Sequence, residues 1–104
     1  MQAAFGKLPI EYPDEGMVRF CQQYHVQRLA FFGSVLRSDF RPDSDLDILV
    51  KFSPAARVGF MTLGRMKREL SEIFQRKVDL VLEDGLKPAI RSDILAEAQE
   101  VYAA

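Results

Sequence analysis

Residues 31–52 read FFGSVLRSDFRPDSDLDILVKF, and the two ends of this stretch decide the fold. At its C-terminal end, residues 45–52 (DLDILVKF) alternate with a period of two. That spacing predicts a strand with Leu46, Ile48, Val50 and Phe52 on one face and Asp45 and Asp47 on the other. At its N-terminal end, residues 26–32 (VQRLAFF) form a short apolar, aromatic run that stops at Gly33, which predicts a buried strand. Gly33 and Ser34 turn the chain, a short helix follows over 34–38, and residues 40–44 (FRPDS) make a loop built on Pro42.

Outward from this pair of strands the chain alternates between helical and extended patterns. Upstream, residues 1–12 read as an irregular lead-in punctuated by Pro9 and Pro13. Asp14 is placed to cap a helix with Glu15 in its first turn. Met17, Val18, Phe20, Cys21 and Tyr24 give that helix one apolar stripe, ending near His25. Downstream, Ser53 and Pro54 end the second strand, and residues 58–75 form the longest helix, with Met61, Leu63, Met66, Leu70, Ile73 and Phe74 facing inward. Gly59 and Gly64 weaken its first half by about 1 kcal/mol each. Residues 77–82 (KVDLVL) predict a third strand with Val78, Leu80 and Leu82 inward and Asp79 outward. A turn around Gly85 leads to a last helix over 93–102, capped by Ser92, with Ile94, Leu95, Ala98 and Val101 or Tyr102 inward. The pattern is that of an α/β (α+β) domain with a small sheet flanked by helices, a single domain over 1–104.

Composition agrees. The chain has 104 residues, with 48% hydrophobic and 28% charged residues. That suits one globular core and excludes a disordered tail or a disulfide-rich miniprotein. One cysteine, Cys21, and one histidine, His25, exclude Cys-based zinc and multi-His metal sites. Fourteen Lys and Arg against fifteen Asp and Glu give a net charge of −1, which argues against duplex DNA as a partner. No stretch approaches the ~18 apolar residues of a membrane span, and the first residues lack the pattern of a signal peptide, so the cytoplasm is the expected location.

The chemistry concentrates on Asp45, Asp47 and Asp79. If the second and third strands are neighbours, three carboxylates crowd one patch of sheet. Like charges opposed across strands are destabilising, and a cation relieves them. An all-oxygen donor set without Cys or His selects a hard ion, Mg²⁺ or Mn²⁺. A lone Asp-x-Asp on an amphipathic strand is ordinarily just a solvated face. Gly33 and Ser34, some ten residues upstream, lift it above that. Glycine lets a backbone approach a ligand closely, and a serine opening a helix offers its hydroxyl beside free N–H groups. A phosphate seat beside a metal seat points to a nucleoside triphosphate. Other readings fail. In an EF-hand register starting at Asp43, the position for the required Gly is Ile48 and that for the required Glu is Pro54. There is no P-loop, and Ser34 lies outside a G-x-S-x-G context.

The stretch resembles the G-S-x-x-R-x(6)-S-D-x-D-x-x-V signature of the minimal nucleotidyltransferases, within the DNA polymerase β-like superfamily. Gly33, Ser34, Arg37, Ser44, Asp45, Asp47 and Val50 fall in register with it, and the later RKVDLVLEDGLKPAIRSDILAEAQEVY extends the similarity. The resemblance implies a small mixed sheet and transfer of a nucleoside monophosphate to an acceptor hydroxyl with two divalent ions, Mg²⁺ or Mn²⁺. Asp45 and Asp47 would bind the metals, and Asp79 would complete the metal site and take the acceptor's proton. Gly33 and Ser34 would hold the triphosphate, with ATP the expected donor. Ser44 would orient the nucleotide-binding loop or cap its backbone. Arg37 would reach phosphate or, alternatively, pair with Asp39 or Asp43. The chain departs from the common G-S-R-A-R-G pattern at Val35 and Ser38, which removes a positive charge beside the phosphates.

Stand-alone domains of this kind are often paired with a small helical HEPN toxin, and the resemblance implies an antitoxin that transfers AMP to a tyrosine of that partner. A masking module with weak catalysis and a small-molecule transferase of the antibiotic-modifying kind are the alternatives. Cys21 and His25, four apart on the first helix, read as a buried thiol and a helix-end imidazole. Met61 and Met66 read as core fillers. The cations of residues 57–77 read as a solvated helix face, or as a patch for an acidic partner or an RNA acceptor.

Overall fold

The computed structural model describes residues 13–36, 41 and 43–104. The expected lead-in over 1–12 and the expected helical residues 37–38 lie outside them, as does Pro42. The order is helix α1 (Asp14–Gln23), strand β1 (Val26–Phe32), a one-turn 3₁₀ helix (Gly33–Leu36), β2 (Leu46–Phe52), α2 (Phe60–Phe74), β3 (Val78–Leu82), a 3₁₀ turn (Glu83–Gly85), α3 (Pro88–Glu97) and β4 (Gln99–Ala103). The strands form one mixed sheet in the order β3-β2-β1-β4. β1 is antiparallel to β2 and to β4, and β2 is parallel to β3.

The parallel pair follows from the length of α2. Fifteen helical residues span about 22 Å. Seven strand residues span about 23 Å. The helix therefore carries the chain back along the full length of β2, and β3 restarts at the end where β2 began. Leu46 is in register with Val78, and Asp47 with Asp79. β1 runs the other way and ends at that same edge, with Phe32 opposite Asp47.

The core lies between the sheet and α1 and α2. Met17, Phe20, Cys21 and Tyr24 from α1 and its end, and Met66, Leu70 and Phe74 from α2, join Leu29, Phe31, Leu46, Ile48, Val50 and Val78 of the sheet in one buried cluster. Phe31 and Phe74 pack edge to face with ring centres 5.5 Å apart. The Tyr24 hydroxyl donates to the Glu69 carboxylate, which ties the end of α1 to α2.

Several expectations are corrected. The last helix is not residues 93–102 capped by Ser92: it begins at Pro88, whose fixed φ and missing N–H suit a first helical position, and it ends at Glu97. Residues 99–103 are instead an edge strand on β1. Asp14 is the first residue of α1 rather than its cap, since Pro13 occupies the cap position. Asp45 and Lys77 precede their strands. Val18, Met61 and Leu82, expected inside, are exposed, and Met61 is 84% so. Met61 and Phe60 form the first turn of α2, and both are exposed. Met66, one and a half turns on, is fully buried as expected.

The core makes stability sensitive to alkali. Burial pushes the Cys21 thiol up from 9.0 to about 12. Burial, then the Glu69 carboxylate, pushes the Tyr24 phenol above its usual value. Both groups ionise more readily in the unfolded chain, so the stability they confer is complete below pH 9 and is lost as pH rises. Between pH 8 and 10 the thiol alone lowers stability by about 1.4 kcal/mol. The urea midpoint of the native protein is expected to fall over that interval, and Cys21→Ala to flatten the fall.

Candidate active site

The site gathers where β1 ends and β2 and β3 begin. Gly33 follows the last residue of β1 with φ +77°, in the left-handed region that side chains rarely adopt. A Cβ there would lie 3.2 Å from Asp47 Cγ and collide with its Oδ2. The backbone at Gly33 thus runs against the Asp47 carboxylate at a distance only a glycine permits. Ser34 comes next, half-buried in the one-turn helix, whose buried Val35 anchors it to the core. On the other side of Asp47, the parallel register sets Asp79 beside it, both half-buried. Three elements therefore bring Gly33, Ser34, Asp47 and Asp79 to one corner of the sheet.

Asp45 stands at the rim, exposed, one residue before β2. Its neighbours are held. Ser44 N–H donates to the Arg41 carbonyl at 3.0 Å. Arg41 N–H donates to Ser44 Oγ at 3.0 Å, which closes a tight turn. Leu46 N–H donates to the Lys77 carbonyl at 2.9 Å. The Ser44 hydroxyl is thus engaged with the backbone of the loop before β2. Arg37 lies outside the described residues.

Three carboxylates without thiolate or imidazole fit a hard divalent cation. Among the described residues no three His, Cys, Asp or Glu side chains stand as a ready ligand group. Asp47 and Asp79 form the adjacent pair, and Asp45 stands at the rim. Three like charges do not converge on a point without a counter-charge. Among the described residues no helix is long and apolar enough to cross a membrane.

Two features were not foreseen. Arg76, read only as one cation of a basic run, donates from Nη1 to the Arg41 carbonyl at 3.2 Å and the Ser44 carbonyl at 3.3 Å. Glu83, read as part of a turn, is 4% exposed and accepts from Arg28 Nη2 on both oxygens, at 2.5 and 2.6 Å. The strand register places Arg28 on the Asp47 face, two rows along the sheet, and its guanidinium holds Glu83 just beyond the end of β3. The two contacts span 32 or more residues, so local pattern held no signal for either.

Known proteins bear on this geometry. The chain is 34% identical to a protein described as a protein adenylyltransferase in Methanocaldococcus jannaschii, over 76% of this chain and 83% of that one. It is 30% identical to the protein adenylyltransferase MntA of Thermococcus cleftensis, over 73% of this chain and 75% of that one. A solved structure described as a minimal nucleotidyltransferase superposes with a TM-score of 0.69 at 36% identity, covering 82% of this chain and 85% of the other. An MNT antitoxin in complex with a tri-AMPylated Shewanella oneidensis HEPN toxin shares the fold at 15% identity, with a TM-score of 0.63 over 100% of this chain and 74% of the other. The sequence profile of the nucleotidyltransferase domain matches residues 15–101. The glycine-serine turn against a carboxylate pair is thus set in its family context: the chain belongs to the nucleotidyltransferase domain family, whose members use a nucleoside triphosphate and a divalent metal.

Proposed function

We propose that this chain is a protein adenylyltransferase that acts in the cytoplasm as an antitoxin, moving AMP from ATP to a tyrosine hydroxyl of a HEPN toxin partner. The observation that carries the reading is the approach of Gly33 to Asp47, with Asp79 in register beside it. A phosphate bound at the Gly33–Ser34 turn would sit next to Asp47. The relatives named as protein adenylyltransferases support the reaction, and the antitoxin of like fold supports the kind of partner.

Asp45, Asp47 and Asp79 would hold two Mg²⁺ or Mn²⁺ ions, which when bound supply the positive charge that a triphosphate transfer needs. The turn at Gly33 and Ser34 binds the triphosphate by its hydroxyl and backbone N–H groups. Ser44 keeps the neighbouring loop in place, and Arg37 would supply positive charge to the phosphates. The acceptor hydroxyl oxygen attacks the α-phosphorus in line, the bond from that phosphorus to the bridging oxygen breaks, and pyrophosphate leaves. Asp79 takes the hydroxyl proton.

The test is the intact mass of the small protein that co-purifies from the native host, with and without ATP and Mg²⁺. The expected result is a gain of one or more AMP units, absent with Asp45→Asn/Asp47→Asn. A stable partner that never gains mass would instead mark a masking module. No partner at all would turn the search to small-molecule acceptors.

A further inference from the structure

We infer that Arg76 is a positioning residue for the metal site, acting through the loop that carries Asp45; the inference rests on the reading of the site given above. Asp45 is an exposed rim residue, so nothing in its own packing sets its direction. What sets it is the backbone on either side. On the N-terminal side, Arg76 Nη1 bridges the carbonyls of Arg41 and Ser44, the two ends of the turn that the Ser44 hydroxyl closes from within. On the C-terminal side, the Lys77 carbonyl accepts from Leu46 N–H. Asp45 is thus one residue suspended between two fixed points, and both fixed points belong to residues 76 and 77.

The same short segment leads straight into β3 and Asp79, the register partner of Asp47. A single stretch of chain, 76–79, therefore fixes Asp45 from outside and supplies the carboxylate facing Asp47. Its own position is set by the end of α2. Gln75 takes the left-handed conformation with φ 56°, its side-chain amide donates to the Glu72 carbonyl at 2.7 Å, and Arg76 N–H returns to the Ser71 carbonyl at 3.2 Å. The guanidinium suits the task because it is planar, permanently charged and rich in donors, so one arm can serve two carbonyls. Charge-assisted bonds to carbonyls are also the stronger kind. Side chains that orient metal ligands from behind typically change metal affinity 10- to 100-fold when removed.

The measurement is Mn²⁺ binding by electron paramagnetic resonance in the presence of a non-hydrolysable ATP analogue, on the full chain, beside thermal melting and the metal dependence of transfer. Arg76→Ala is expected to raise the Mn²⁺ concentration for half-occupancy about tenfold. Its rate should approach that of the wild type only at saturating metal. Arg76→Lys should fall between the two, since one ammonium can still serve the carbonyls. A purely structural arginine would lower the melting temperature and leave Mn²⁺ affinity of the folded fraction unchanged in both variants, which would overturn the inference. Wild-type affinity in a well-folded Arg76→Ala would overturn it too. If the wild type itself binds no Mn²⁺, with or without the nucleotide, the reading of the site and the inference fall together; wild-type binding lost in Asp47→Asn upholds the reading whatever Arg76 does.

Discussion

Asp47→Asn is expected to reduce nucleotidyl transfer by about a thousandfold or more and to leave the fold intact. Asp47 is the centre of the constellation: Gly33 lies against one side of it and Asp79 stands in register on the other. An amide keeps the shape and loses the charge. With the charge goes the main attraction for a divalent ion at that point, and such ions are worth several kcal/mol to phosphoryl-type transfers. About 4 kcal/mol is a factor of about a thousand in rate. Stability moves little, because neutralising one of two facing carboxylates also removes a repulsion of a few tenths of a kcal/mol. Single-turnover transfer at saturating ATP and Mg²⁺, measured beside a thermal melt, checks both halves. A loss under tenfold in a folded variant would remove Asp47 from the machinery.

How much of this could be read from the chain depends on how far each feature reaches. The first strand was legible as a short apolar run that stops at Gly33, and the second as a period-two alternation carrying Asp45 and Asp47. So was the glycine-serine turn, and the family resemblance it carries with the two aspartates holds. The mixed sheet was an implication of that resemblance. In physical terms it comes from the length of α2, which returns the chain to the start of β2 and lines Asp79 up with Asp47. β4 was missed because Val101 and Tyr102 continue a helical spacing from Ile94 and Leu95; only hydrogen bonds to β1, more than 60 residues upstream, make the segment extended. Met61 was misplaced because a helical stripe does not say which of its turns the rest of the chain covers. The reach of Arg76 Nη1 was invisible, since the Arg41 and Ser44 carbonyls it serves are backbone groups, which carry no sequence signal.

Gly33→Ala is the other substitution with a large expected effect, and two separable causes add. The first is backbone strain. At φ +77° an alanine sits in a region that costs about 1–2 kcal/mol for an L-residue. The second is steric: the added Cβ meets the Asp47 carboxylate, with Asp47 Cγ at 3.2 Å and Cβ at 3.4 Å, and the backbone or the carboxylate must move. Forced shifts in a packed site cost about 1–3 kcal/mol. Together the loss of stability should be about 2–5 kcal/mol, and activity should vanish, because the displaced group is the one that faces the phosphate seat. Gly33→Asn separates the causes, since asparagine tolerates positive φ but carries the same Cβ. If strain alone matters, Gly33→Asn recovers most of the activity; if the approach to Asp47 matters, it is as inactive as Gly33→Ala. A double-mutant cycle completes the argument. In an Asp47→Ala background the obstructing carboxylate is gone, so the stability cost of Gly33→Ala should shrink to the strain alone, about 1–2 kcal/mol. A cost that stays the same in both backgrounds would show that the glycine is kept for its backbone angle and not for its closeness to the carboxylate.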